Sequence, residues 1–217
     1  NNTGYRGLIV ADVYNVSDRY TKIAVPMIAS GLDFTVALKS DGSVWTWGIN
    51  NYGQLGDGTY INRAYPVQVT LSIDEETGVR DYISDIKRIA AGERFVLALR
   101  NDGLLYAWGD NTSGQLGVEI NNETTEDGTA IEDSRSLPVE VDLTDGVDFT
   151  EITDIAAGKN HTVIVLNNDT VYTWGDNTYG QLGDGTLLSK KYPVQVLDED
   201  GNPIKDIVRL ALTAVDI

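Results

Sequence analysis

The segment W-G-x-N-x-x-G-Q-L-G stands three times in this chain, starting at Trp47, Trp108 and Trp174. Self-similarity restricts a chain to architectures built by repetition, so it constrains the fold more than any single motif does. Each copy follows the same kind of segment: IASGLDFTVALKSDGSVWTWG, IAAGERFVLALRNDGLLYAWG and IAAGKNHTVIVLNNDTVYTWG. Gly31, Gly92 and Gly158 each precede their Trp by 16 positions, and each Trp precedes the last Gly of its GQLG by 9. The step from copy to copy is 61 and then 66 residues.

Each core predicts a β-hairpin. In the first copy Phe34 to Lys39 and Val44 to Trp47 are short apolar, β-branched runs, separated by Ser40-Asp41-Gly42. Asp-Gly permits the positive φ angles of tight hairpin turns. The second copy has Asn101-Asp102-Gly103 there and the third Asn167-Asn168-Asp169. Asn and Asp tolerate the left-handed conformation best after Gly, so the third turn is expected to persist. The small residues Ala29-Ser30-Gly31, Ala90-Ala91-Gly92 and Ala156-Ala157-Gly158 predict close backbone packing where strands converge. After each core comes PVQV or PVEV, at Pro66, Pro138 and Pro193, which suits the first residue of a strand or an edge position. No amphipathic helical stretch stands out. Several short strands per unit with Gly and Pro punctuation predict an all-β repeat array, with a propeller as the natural form. The cores are 25–69, 86–141 and 152–196, with a partial fourth at 207–217 and an N-terminal, strand-forming segment at 1–24.

The glycine-rich stretch W-G-D-N-T-Y-G-Q-L-G-D-G-T at Trp174 is no phosphate cradle. A phosphate loop follows a strand, opens a helix and carries Lys, whereas this one is expected to lead to a proline-started strand and its charged residues are acidic. Asn50, Asn111 and Asn177, with Gln54, Gln115 and Gln181, are expected to hydrogen-bond backbone groups that the strand ladder leaves free. Trp47, Trp108 and Trp174 are expected to pack between adjacent blades.

The combination IAAG…VALKSDGSVWTWGINNYGQLG…PVQV resembles the RCC1 repeat, named for the regulator of chromosome condensation, from about Val25 to the C-terminus. The resemblance implies blades of a β-propeller, seven of them in the family's complete rings. Its repeat usually carries His shortly after Ala-Gly; here His161 keeps it, while the other copies have Phe34 and Phe95. Three copies and a fraction predict either part of a longer array or a ring shared by two chains as a homodimer. The family's founding member is a guanine-nucleotide exchange factor for a small GTPase, so the resemblance adds that activity as an alternative.

Composition narrows the partners. There are 33 acidic and 16 basic residues, for a net charge of −17. Phosphate-backbone contacts need Lys and Arg, so nucleic acid is disfavoured, as are anionic membrane surfaces. No apolar run approaches the length of a membrane span. The chain has no Cys, which excludes disulfides and thiolate metal sites. With the sole histidine, His161, standing where Phe stands in other copies, catalysis has little material and no cofactor is expected. Asp198–Asn202 and Thr125–Asp133 are acidic enough to suggest calcium, but hairpin turns use the same residues and neither has EF-hand spacing.

One departure from the repeat is informative. Between GQLG and the next Pro, copies one and three have 9 residues and copy two has 20. The insertion carries Glu119, Glu123, Glu126, Asp127, Glu132 and Asp133 against Arg135 alone. A long loop on a rigid scaffold is where repeat proteins place specificity, so Glu123, Glu126, Asp127, Glu132 and Asp133 are candidate contacts for a basic protein partner. The expected function is a non-catalytic protein-protein interaction or surface-adhesion module. A carbohydrate-binding module using Tyr52 and Tyr179 for stacking is a further alternative. The acidic, Asn- and Thr-rich, cysteine-free composition predicts a secreted or cell-surface protein of bacterial type.

Overall fold

The computed structural model describes residues 24–119, 133–141, 143, 151–205 and 207. The segment 1–23, most of the long acidic insertion and nearly all of the partial fourth repeat lie outside the described residues.

Each repeat core folds into one four-stranded antiparallel sheet. The first blade is β1 (Met27–Ser30), β2 (Phe34–Leu38), β3 (Val44–Gly48) and β4 (Arg63–Gln68). A two-stranded hairpin follows, β5 (Thr70–Ile73) and β6 (Arg80–Tyr82). The second blade is β7 (Ile86–Ala91), β8 (Phe95–Arg100), β9 (Leu105–Asp110) and β10 (Ser134–Glu140). The third is β11 (Ile152–Ala157), β12 (His161–Leu166), β13 (Val171–Gly175) and β14 (Lys190–Gln195). Strands pair in chain order within each blade, so no described blade contains a crossover.

The hairpin turns take the expected conformation. Gly42, Gly103 and Asp169 have φ of 78°, 99° and 62°, so Asp169 occupies the left-handed position that Gly fills in the other two blades. The prolines sit differently from a strand start. Pro66, Pro138 and Pro193 lie inside β4, β10 and β14, the outer edge strands. The register of each outer strand shifts by a bulge near the proline. An edge strand has one ladder of unpaired groups, and a bulge interrupts the other, so the missing N–H does no harm there.

The cores lie between the blades rather than within them. One cluster joins Phe34, Val36, Leu38 and Val44 of the first blade to Ile86, Ile89, Val96, Ala98 and Trp108 of the second. The next joins Phe95, Leu97, Leu99 and Leu105 to Ile152, Ile155, Ile164 and Trp174 of the third. Alternate residues of β8 thus face opposite neighbours, which is why nearly every position of that strand is buried. The inner strands meet side by side, and backbone bonds link successive blades beyond them: Leu32 N–H donates to Glu93 O at 3.0 Å, and Glu93 N–H to Lys159 O at 3.0 Å.

The first blade has one uncovered face. Val25, Ile86 and Ile152 are equivalent in the repeat, yet Val25 is 74% exposed while the other two are at 0% and 3%. Ile28 is 77% exposed, against 3% and 6% for Ile89 and Ile155. Trp47, expected between blades, is only half-buried, whereas Trp108 and Trp174 are fully buried. The difference has one cause: no described blade precedes the first.

Candidate interaction surface

In each blade the connections after its first and third strands emerge at the same end of the sheet, and together they form one face. The third-strand connections hold the Asn-Gln signature. Asn50 Oδ1 accepts from Leu55 N–H at 2.9 Å, and its Nδ2 donates to Thr59 O at 2.8 Å and Ile61 O at 3.2 Å. Asn177 repeats this with Leu182, Thr186 and Leu188. Gln54, Gln115 and Gln181 each accept from the N–H two residues upstream, at 2.8–2.9 Å. Asn50, Asn111 and Asn177 are fully buried. One buried amide satisfying several loop groups removes the desolvation cost each would otherwise carry.

Asn111 exposes what the long insertion changes. Its Oδ1 accepts from Leu116 N–H as usual, but the second copy's D-G-T, Asp127-Gly128-Thr129, does not follow GQLG directly as it does in the other two copies, and it lies outside the described residues. Among the described residues the Asp133 carboxylate accepts from Asn111 Nδ2 at 2.6 Å and pairs with Arg135. Asp133 is therefore buried at the base of the insertion, a correction to its expected role as an outward partner contact. Glu119, at the other end of the insertion, reaches the third blade, accepting from Lys191 Nζ at 2.5 Å and Tyr192 OH at 2.7 Å. Glu123, Glu126, Asp127 and Glu132 lie outside the described residues.

The tryptophans tie each blade to the loop before it. Trp108 Nε1–H donates to Gln54 O of the first blade at 3.0 Å. Trp174 packs its Nε1 against Gly117, though its N–H finds no acceptor among the described residues. At the axis, a different pairing explains the invariant glycines. Phe34, Phe95 and His161 lay their rings against Gly31, Gly92 and Gly158, where an added Cβ would come within 1.9, 1.9 and 2.1 Å of ring atoms. Burial pushes the His161 imidazole below its ordinary value, with nearby Asp176 pulling the other way. His161 thus occupies a packing position that Phe fills elsewhere. Asp198, a calcium candidate in sequence, accepts from Asp200 N–H and Asn202 N–H and caps its own turn.

Two acids of the D-G-T loops contribute to the acid limb of stability. Burial works to raise Asp57, but the Thr59 hydroxyl and Arg63 guanidinium outweigh it and hold the carboxyl below the ordinary 3.8. Asp184 follows suit, its burial outweighed by Thr186, Asn177 and Lys190. A folded-state value below the unfolded one means stability fully present above 3.8 and lost as pH falls through the folded values. The melting temperature is expected to hold steady above about pH 5 and to fall below about pH 4. Thermal melts of the parent and Asp57→Asn check this: the variant starts lower at neutral pH and shows a flatter acid limb.

The face also carries a pocket of about 190 Å³ at the seam of the first two blades, lined by Leu32, Asp33, Ile49, Asn51, Tyr52, Gln54, Glu93 and Arg94. Arg94 lies 4.8 Å from the centre of the Tyr52 ring and donates to its OH at 3.0 Å. One face of Tyr52 is thereby covered, whereas Tyr179 is 92% exposed. Tyr52, Glu93 and Arg94 came to no prominence together in the sequence because two repeats supply them.

The Regulator of chromosome condensation (RCC1) repeat matches residues 41–99, 102–165 and 168–208. The chain belongs to the RCC1 repeat family. A second description of the same repeat matches 86–115 and 152–181. Relatives include the ultraviolet-B receptor UVR8 of Arabidopsis thaliana, 30% identical over 81% of this chain and 35% of that protein. The E3 ubiquitin-protein ligase HERC2 of Homo sapiens is 31% identical over 82% of this chain and 3% of that protein. Prp20p from Saccharomyces cerevisiae, solved in a study of its binding to Gsp1p and histones, superposes with a TM-score of 0.60 at 27% identity. That match covers 80% of this chain and 38% of Prp20p. This RCC1-repeat chain thus spans about a third of UVR8 and of Prp20p, and its blades are propeller blades.

Proposed function

We propose that this RCC1-repeat chain is a non-catalytic interaction module that docks a basic protein through the face formed by its first- and third-strand connections. One observation carries the reading. The buried Asn-Gln framework recurs from blade to blade, while the side chains carried at the loop positions of this face do not: Leu32, Glu93 and Lys159 share one position, Asp33, Arg94 and Asn160 the next, and Tyr52, Ser113 and Tyr179 a third. Fold requirements do not set those residues. A rigid array presents them with little ordering cost on binding. The net charge of −17 steers a basic partner toward the array. The likeness to Prp20p, whose binding to Gsp1p and histones has been described, supports a protein as the ligand class.

Hydrogen exchange with and without purified core histones tests the reading. Protection is expected on 31–34, 49–62 and 92–95, weakening as salt is raised. Uniform protection, or protection confined to the turns at Gly42 and Gly103, overturns it. The likeness to Prp20p also favours a second reading, nucleotide exchange on a Gsp1p-type GTPase. Release of a fluorescent nucleotide accelerated by catalytic amounts of the chain would put that reading first.

A further inference from the structure

We propose that the seam pocket between the first two blades receives an arginine side chain of the protein partner. This rests on the interaction reading above and names the chemistry at one point of the surface. The pocket is bounded by residues of two blades: Asp33, Asn51 and Tyr52 from the first, Glu93 and Arg94 from the second. Its polar groups are unevenly committed. Arg94 is spent, with Nη1 on Tyr52 OH at 3.0 Å and Nη2 on Glu93 Oε1 at 3.3 Å, so it offers little to an anion. Glu93 is nine-tenths buried, and its Oε2 accepts no aligned hydrogen bond. Lys159 reaches that oxygen at 3.0 Å, but from a largely exposed position that an incoming cation can share or displace. Asp33 is exposed at the rim, and its carboxylate has no ion pair among the described residues.

The surplus is therefore of acceptors. A buried carboxylate oxygen whose one cationic neighbour is poorly aligned is under-satisfied, and a cation that brings an aligned donor relieves it. Two carboxylates on one small pocket suit a planar fork of donors better than a point charge, and a guanidinium sheds its weak hydration more readily than an ammonium does. The neighbouring Arg94–Tyr52 stack extends the same flat surface. The second seam shows that the fold does not require this chemistry: there the positions of Asp33, Tyr52, Glu93 and Arg94 hold Arg94, Ser113, Lys159 and Asn160.

The probe is Nα-acetyl-L-arginine amide, titrated into the ¹⁵N-labelled chain and followed by amide shifts at fixed ionic strength. Saturable shifts are expected at Asn51, Tyr52 and Arg94. Asp33→Asn, an exposed change, should weaken binding by about tenfold, in the range for one charge-assisted hydrogen bond. Glu93→Gln should weaken it at least as much, with its spectrum reporting whether the fold is kept. Glu75→Gln, in the β5–β6 hairpin, should change nothing. Shifts scattered over the acidic surface, indifference to Asp33→Asn, or equal binding of Nα-acetyl-L-lysine amide would each overturn the proposal. If histones still protect the loop face while the arginine amide fails to bind, only the pocket falls. If the amide binds and no protein does, the interaction reading falls instead.

Discussion

Trp108→Ala lowers the unfolding free energy by about 3–5 kcal/mol, the range for truncating a large buried aromatic. The whole ring is buried between the first two blades, and its N–H is the donor for Gln54 O. Truncation opens a cavity against Gly56 and Val69, neither of which can collapse into it: Gly56 has no side chain and holds φ at 62°. It also leaves the Gln54 carbonyl without that donor. Trp47→Ala is the internal control. It occupies the same repeat position but is half-buried, so its loss is expected to be less than half as large. Urea unfolding followed by far-ultraviolet circular dichroism, which does not depend on the tryptophan removed, measures both. Equal losses for the two variants would mean that the first blade's open face is covered in solution.

Gly92→Ala is the second large effect, expected at about 3 kcal/mol, the upper part of the range for overpacking. Gly92 does not have a positive φ, so the penalty comes from space and not from backbone strain. A methyl group would meet Phe95 Cε1 at 1.9 Å and the Gly158 carbonyl at 2.8 Å. The carbonyl side cannot yield easily, because Glu93 N–H holds Lys159 O at 3.0 Å just beyond it. Relief must come from the ring. Phe95→Ala alone empties a core position, but the Gly92→Ala/Phe95→Ala pair should lose less than the sum of the two single changes. Strict additivity in the same urea experiment would show that ring and glycine do not constrain each other.

Much of the fold is legible in the residues because the repeat supplies its own controls. Asp169 in place of Gly42 and Gly103 announces a turn that must keep its conformation, and the structure places it at a φ of 62°. His161 in place of Phe34 and Phe95 announces packing. What escapes is whatever occurs once or depends on a neighbour. Among the described residues the β5–β6 hairpin has no second copy of its strands to compare with, and its Arg80 bonds to Asp57 O and Thr70 Oγ1 only after folding. Trp47 stands in the same W-G-x-N-x-x-G-Q-L-G motif as Trp108, so the motif does not distinguish a ring with a blade before it from one without. The pocket is likewise a property of a seam: Asp33 and Glu93 are 60 residues apart and meet because Gly31 and Gly92 let two inner strands come close. Asp133 hides in an acidic run, where charge argues for solvent, yet in the fold it is buried, accepting from Asn111 Nδ2 and pairing with Arg135.

The blade contact also has a direction. Trp108 and Trp174 each reach back to the loop of the preceding blade, and each blade carries both a tryptophan at this position and the loop motif that takes the next one. Tandem duplication of the gene segment therefore adds a ready-made joint along with each new copy, without inventing an interface. Selection is then free to act on the few positions outside the joint, such as Leu32, Glu93 and Lys159, where copies of one ancestor can drift apart in chemistry while remaining superimposable in backbone.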